Sequence, residues 1–403
     1  MPQWLFLLLT VPTITGAIGW LTNWAAVKMI FGPERFIGVG KVGWQGILYH
    51  HADKFATNLG NLARDHLLSS DELVEKVDAD ELDKVLAGVL DAEAPKLVAE
   101  AAEKVRPGSW AMVPPPMQAM VVEQVKARTK VISRDVLAEV QGKATELLDL
   151  QQVVHGALTG PNVRRLARLT QEIGGKEFFF IEWSGGVFGF LVGLGQLGVW
   201  SLMHTWWLMP IVGALVGLGT NYLAIQMIFR PFEKTRYLGV FPYQGLFPKR
   251  QPEIASDYGR TTGAEVITAH NIINLLTSGE RGAELRAAVE EAVSKRIDAE
   301  WQQVKGMVPL PVSDEQLAEV KQLVVTKMIE MAPQVRPQIE EYLDKQLDIR
   351  NTVETRLGSL SKPEFERLLR GVFQEDELTL IVVGGFLGAG VGVLQAALVL
   401  GGF

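Results

Sequence analysis

Residues 183–229 read WSGGVFGFLVGLGQLGVWSLMHTWWLMPIVGALVGLGTNYLAIQMIF, a run of 47 positions without Asp, Glu, Lys or Arg. A bilayer-crossing helix needs roughly 20 mostly apolar residues, so this run holds two spans joined by a short turn near Ser201 to Thr205. Two further charge-free windows, Met1 to Val27 and Leu378 to Phe403, are long enough for one span each. All the charged residues fall in the two blocks between, 28–182 and 230–377. An overall charged content of 21% therefore conceals a strongly segregated chain, and a purely soluble protein is excluded.

The windows are related to one another. Gly19-x-x-Thr22-Asn23-x-x-Ala26-x-x-Met29-Ile30-Phe31-x-Pro33 returns as Gly217-x-x-Thr220-Asn221-x-x-Ala224-x-x-Met227-Ile228-Phe229-x-Pro231, at an offset of 198. At an offset of 199, Gln45-Gly46 returns as Gln244-Gly245, and Gly185, Gly189, Gly193 and Gln196 as Gly384, Gly388, Gly392 and Gln395. A repeat of this length sets the architecture before any local reading. The chain reads as two tandem units: 1–200 (span 4–27, block 28–182, span 183–200) and 201–403 (span 206–229, block 230–377, span 378–400). The first window is the counterpart of an internal span, so a retained anchor is expected rather than a cleaved signal.

Spans two and three form a hairpin, which puts both polar blocks on one side and makes the units parallel repeats. Lys and Arg cluster near the spans on the block side and none lie on the other, so the blocks are expected in the cytoplasm. Trp183 and Trp200, 17 positions apart, suit an aromatic belt at each membrane face. Within the blocks, Leu82, Val85, Leu86, Val89 and Leu90 keep helical spacing, as do Ile339, Leu343 and Leu347. Prolines at 107–116 and 309–311 divide each block, which predicts a long helical hairpin-like insert whose arms bend at Pro95 and Gly160-Pro161.

Composition narrows function by exclusion. With no cysteine there is no disulfide, thiolate metal site or cysteine nucleophile. A net charge of −7, shared between the blocks, argues against nucleic acid as a partner. No Walker A loop, Rossmann fingerprint, G-x-S-x-G or H-E-x-x-H occurs, and adjacent His50-His51 cannot share one helical face. No catalytic residue, metal or cofactor is assigned, and the protein is not read as an enzyme.

Three groups of residues stand out. Gly185, Gly189 and Gly193, with Gly384, Gly388 and Gly392, recur every fourth residue on one helix face and suit close helix packing. Thr22, Asn23, Thr220, Asn221, Gln196 and Gln395 are polar groups in apolar helices; they act as interhelical glue or, in a sharper reading, line a substrate site at the pseudo-twofold axis. Arg230, Lys234, Arg236, Lys249 and Arg250, interleaved with aromatics beside span three, suit anionic lipid headgroups; ordinary positive-inside anchoring is the alternative. The first unit has Tyr49-His50-His51 where the second has Pro248-Lys249-Arg250, so a headgroup site is expected to favour the second.

The Gly-x-x-Thr-Asn-x-x-Ala-x-x-Met-Ile-Phe-x-Pro core, joined to Gln244-Gly245-Leu246-Phe247-Pro248-Lys249-Arg250, resembles the bacterial membrane proteins of the YheB/YjiN type, domain of unknown function 445. That resemblance implies a multi-pass inner (plasma) membrane protein and brings no established activity or cofactor. The expectation is an all-α membrane protein of four transmembrane helices that serves as a scaffold or tether. Its partners are membrane lipids and either another protein or a second copy of itself. A transporter or channel centred on Asn23 and Asn221 is the alternative.

Overall fold

A computed structural model describes residues 3–40, 42–203, 206–237, 241–304 and 312–402. The first window forms α1 (Gln3–Phe31), which continues through Pro12 and ends where Gly32-Pro33 cannot extend a helix. An antiparallel hairpin of β1 (Ile37–Val39) and β2 (Val42–Trp44) follows, with Ile37 opposite Trp44 and Gly40 at φ 63° in the turn. Next come α2 (Ile47–His50), α3 (Ala52–Leu62), a π turn at Ala63–Leu67 and α4 (Ser70–Glu75). Helices α5 (Ala79–Val105), α6 (Ser109–Met112), α7 (Pro115–Leu147) and α8 (Leu150–Leu158) complete the first block. A single 3-10 turn at Gly160–Asn162 opens into the 41-residue α9 (Val163–Met203).

The second half repeats this order. Helix α10 (Leu208–Phe229) leads to a hairpin of β3 (Thr235–Tyr237) and β4 (Phe241–Tyr243). Then follow α11 (Leu246–Thr261), a π turn at Thr262–Val266, α12 (Ala269–Thr277) and α13 (Gly279–Val304). The last three are α14 (Asp314–Leu347), α15 (Ile349–Ser359) and α16 (Lys362–Gly402). The chain is all-α in class, with the two small hairpins as departures from the expected all-helical blocks. Three-residue strands with exposed side chains carry too little alternation to be read as strands beforehand. The proline turn at 309–311 lies outside the described residues, and Pro95 sits inside α5 without ending it.

Three helical stretches among the described residues are long and apolar enough to cross a membrane: Gly160–Gly198, Leu208–Phe229 and Glu377–Leu394. Their apolar side chains are extensively exposed, Leu215 at 64% and Phe386 at 76%. In water such a surface would be a strong liability; against lipid tails it costs nothing. The edge of a charge-free window is not a helix boundary. Helix α9 starts 20 residues before Trp183 and α16 starts 16 before Leu378, so each carries a charged half and an apolar half on one rod.

The chain divides into two compact units, and each draws on both sequence repeats. One comprises 1–67, 154–262 and 350–403. In it α1 packs on α9, α10 on α16, and the two pairs meet through α9 with α10 and α1 with α16. Next to the apolar helices, Phe229, Phe247, Ile254 and Phe365 form a hydrophobic core, with Phe365 fully buried. The other unit comprises 68–153 and 263–349. There α5 packs on α7 and α14, and α13 on α7, so the two polar blocks combine their long helices around Val136, Ala292, Val293 and Val325. The expected hairpin pairs up with helices of the other block because a two-helix hairpin buries only one side of each apolar stripe.

Candidate functional site: the polar seam of the helix bundle

Asn23 and Asn221 occupy matching places in the two helix pairs. The Asn23 side-chain amide donates to the Ile181 carbonyl at 2.7 Å, and that of Asn221 donates to the Leu380 carbonyl at 2.7 Å. Both residues are buried, at 0% and 3% exposure. An unmade amide bond in hydrocarbon costs several kcal/mol, so the first helix of each pair is fastened to the second at this point. Thr22 and Thr220 donate instead within their own helices, to Gly19 and Gly217 carbonyls at 3.1 and 3.5 Å.

Glycine makes that approach possible. A methyl group on Gly19 would overlap the Gly185 carbonyl, and one on Gly217 would overlap that of Gly384. Gly189 and Gly193 lie as close to Thr15 and Pro12, and Gly388 and Gly392 to Gly213 and Met209. All six glycines singled out in the sequence therefore face the backbone of the neighbouring helix. Gln196 is buried at 9% exposure. The side chain of Gln395 lies outside the described residues.

Between the pairs is a cavity of about 20 Å3, lined by Thr15, Thr22, Gln196 and Thr220 and by the glycine faces. That is room for about one water. The Oδ1 atoms of Asn23 and Asn221 and Nε2 of Gln196 are buried without a protein partner.

Below each first helix, the proline and the Gln-Gly element close on each other. Gly46 N–H donates to the Pro33 carbonyl at 2.8 Å and Gln45 Nε2 to that of Glu34 at 2.9 Å. Gly245 and Gln244 do the same to Pro231 and Phe232, at 2.9 and 2.7 Å. Trp44 Nε1 donates to the Gly32 carbonyl at 3.2 Å and the Tyr243 hydroxyl to that of Met227 at 2.6 Å. These bonds satisfy carbonyls at or just beyond a helix C-terminus, where no further turn is available. Burial pushes the Tyr243 hydroxyl up to about 12. Sequence reading noted the Gln-Gly recurrence but not this clasp, because its acceptors are main-chain atoms.

The basic residues after α10 divide by environment. Lys234, Arg236 and Lys249 are exposed. Arg230 is 57% exposed, with its guanidinium 5.6 Å from the Phe232 ring centroid and 3.9 Å from Glu366. Arg250 is turned inward, 14% exposed, and pairs with Glu177 and Glu253. Lys176 also binds Glu253, and hydrogen bonds from Arg250 and Lys176 hold the Glu253 carboxyl down to about 2. A second cluster joins Arg370 to Glu366 at 3.3 Å and Glu377 at 2.9 Å. Glu177 and Glu366, at 2% and 4% exposure, are buried acids that sequence reading passed over. Their signal is position on the charged half of a helix that runs into a charge-free window, Glu177 six residues before Trp183 and Glu366 twelve before Leu378. His50 and His51 stack edge to face at 4.7 Å, and among the described residues no three His or acidic side chains form a metal cluster.

Long apolar helices sealed by glycine contacts, with exposed apolar faces between charged ends, define a helical membrane protein. Residues 13–139 match the family described as Protein of unknown function (DUF445), so the resemblance drawn from the Thr-Asn core holds over that stretch. The chain is similar to a UPF0754 membrane protein of Exiguobacterium sibiricum, 37% identical over 97 residues, 23% of each chain. It is also similar to that of Bacillus pumilus, 32% identical over 102 residues, 25% of this chain and 27% of the relative. A third, from Anoxybacillus flavithermus, is 34% identical over 94 residues, 23% of this chain and 26% of the relative. The chain thus spans about a quarter of the length of the curated relatives it matches. No solved structure matches it.

Proposed function

We propose that this protein is an integral scaffold or tether of the bacterial inner membrane. In this reading four helices span the bilayer as two parallel repeats, α1 with α9 and α10 with α16, and the helices between them stand in the cytoplasm. The observation that carries it is the use made of the seam: both Asn side-chain N–H groups are spent on a neighbouring helix, and the cavity between the pairs holds about 20 Å3. A solute pathway needs polar groups left free to exchange partners, whereas these hold helices together. Exposed Lys234, Arg236 and Lys249 supply headgroup contacts on the block side, where each basic group near an anionic surface is worth about 1 kcal/mol. Arg250 is already committed to Glu177 and adds little there.

Transport is the second reading, and it rests on the three unpaired polar atoms of Asn23, Asn221 and Gln196. Proteoliposomes separate the two. A scaffold leaves the ion and small-solute leak of the liposomes unchanged, and Asn23→Ala with Asn221→Ala lowers only thermal stability. A protein-dependent flux abolished by the double substitution overturns it. For the lipid contact, native mass spectrometry of Lys234→Gln, Arg236→Gln, Lys249→Gln should show several-fold less retained phosphatidylglycerol. Equal retention removes that part of the proposal.

A further inference from the structure

Helices α5, α7, α13 and α14 line a partly open cavity of about 290 Å3 in the second unit. Protein interiors hold few voids larger than a water, and this one approaches the smallest ligand sites, roughly 300 Å3. An apolar cavity about half this size stays dry and takes up small hydrocarbons. The walls here are apolar, Leu90, Ala94, Val136, Val293, Val324 and Met328 among them, and no aromatic ring lines it among the described residues. Flexible branched and thioether side chains conform to an alkyl chain; a flat ring site would draw on stacking partners.

Charge at the lining is uneven. Among the described side chains, Lys96 and Lys327 reach it with one carboxylate, Glu93. Lys96 Nζ gives one hydrogen bond, to Glu93 at 2.7 Å, which leaves two of its three donors. Lys327 lies 3.3 Å from Glu100 and 3.5 Å from Glu330, neither of which lines the cavity, and keeps a third donor. Lys327 is 30% exposed and Lys96 68%, so a charged acceptor at the cavity mouth meets Lys327 partly free of water and Lys96 on its solvent side.

We propose that this cavity binds a single-chain fatty carboxylate, with the alkyl chain between Ala94 and Val293 and the carboxylate on Lys96 and Lys327. A chain with membrane-crossing helices works beside a ready supply of such amphiphiles. The probe is a diazirine-bearing dodecanoate, irradiated with the full-length protein in detergent and mapped by peptide mass spectrometry. Adducts on α5, α7, α13 and α14 should be competed by excess dodecanoate and fall at least tenfold in Ala94→Phe, which fills the space. Adducts on the lipid-facing Leu215 side of α10 should respond to neither and serve as the internal control. Lys96→Gln with Lys327→Gln leaves the walls intact and should weaken competition several-fold, so it decides the matter if Ala94→Phe does not fold. Second-unit adducts no more competable than those on α10, or unchanged in the folded variants, overturn the site. Equal competition by dodecanol overturns the assignment of the head group.

Discussion

The decisive residues in this protein are the smallest ones. Gly217 lets a backbone carbonyl of α16 lie where a side chain would otherwise be. In a bilayer the hydrophobic effect does not hold helices together, so such approaches and the hydrogen bonds they permit carry the assembly. Gly217→Val should abolish the folded species in detergent, seen as loss of a monodisperse chromatographic peak. Gly88→Ala is the contrast: Gly88 lies inside α5 with open space around its Cα, and Ala there should raise stability by about 0.5–1 kcal/mol in thermal unfolding. Charge obeys a similar local rule. Removing Arg250 strands the buried Glu177 carboxylate, and breaking such a pair costs about 3–5 kcal/mol. Arg250→Met alone should therefore be strongly destabilising, while Arg250→Met with Glu177→Leu recovers most of the loss. A double-mutant cycle in thermal unfolding measures the difference.

At the scale of the element, where helices end and where they continue through proline depends on side-chain capping and packing. The N-terminus of α14 is fully specified: Ser313 accepts from Gln316 N–H at 3.2 Å, and Gln316 Oε1 accepts from Ser313 N–H at 3.0 Å. Ser313→Ala should cost about 1 kcal/mol, read as a lower unfolding midpoint with increased amide exchange in the first turn of α14. Long apolar helices and their glycine faces were legible from spacing alone. The interior prolines were not, because Pro95, Pro333 and Pro337 lie within helices that tertiary packing maintains against the loss of a hydrogen bond. The short hairpins were also hidden. Three residues per strand give no period to detect, and their place is set by the Gln-Gly clasp at the ends of α1 and α10.

At the scale of the whole molecule, orientation is the most consequential prediction. The cysteine-free chain allows single-cysteine labelling with a membrane-impermeant maleimide. Ala119→Cys, on α7, should be protected in intact cells whose outer barrier is permeable, while Trp207→Cys, next to the turn before α10, should label. The reverse pattern would put the helical blocks outside and redirect the lipid proposal to the other leaflet.

The sequence by itself determined that the chain is a helical membrane protein with long apolar stretches and that its motifs come in two copies. These are properties of composition and period, which a linear chain displays openly. Only the tertiary structure decided that the Asn amides end on Ile181 and Leu380, that Arg250 turns inward to Glu177, and that helices of both blocks share one core around Val136 and Val293. Each of those depends on residues more than 70 positions apart finding one another, and pairing at that separation leaves no local trace. The acceptors on α9 and α16 are backbone carbonyls, which every residue carries, so only the folded geometry picks out the ones that serve.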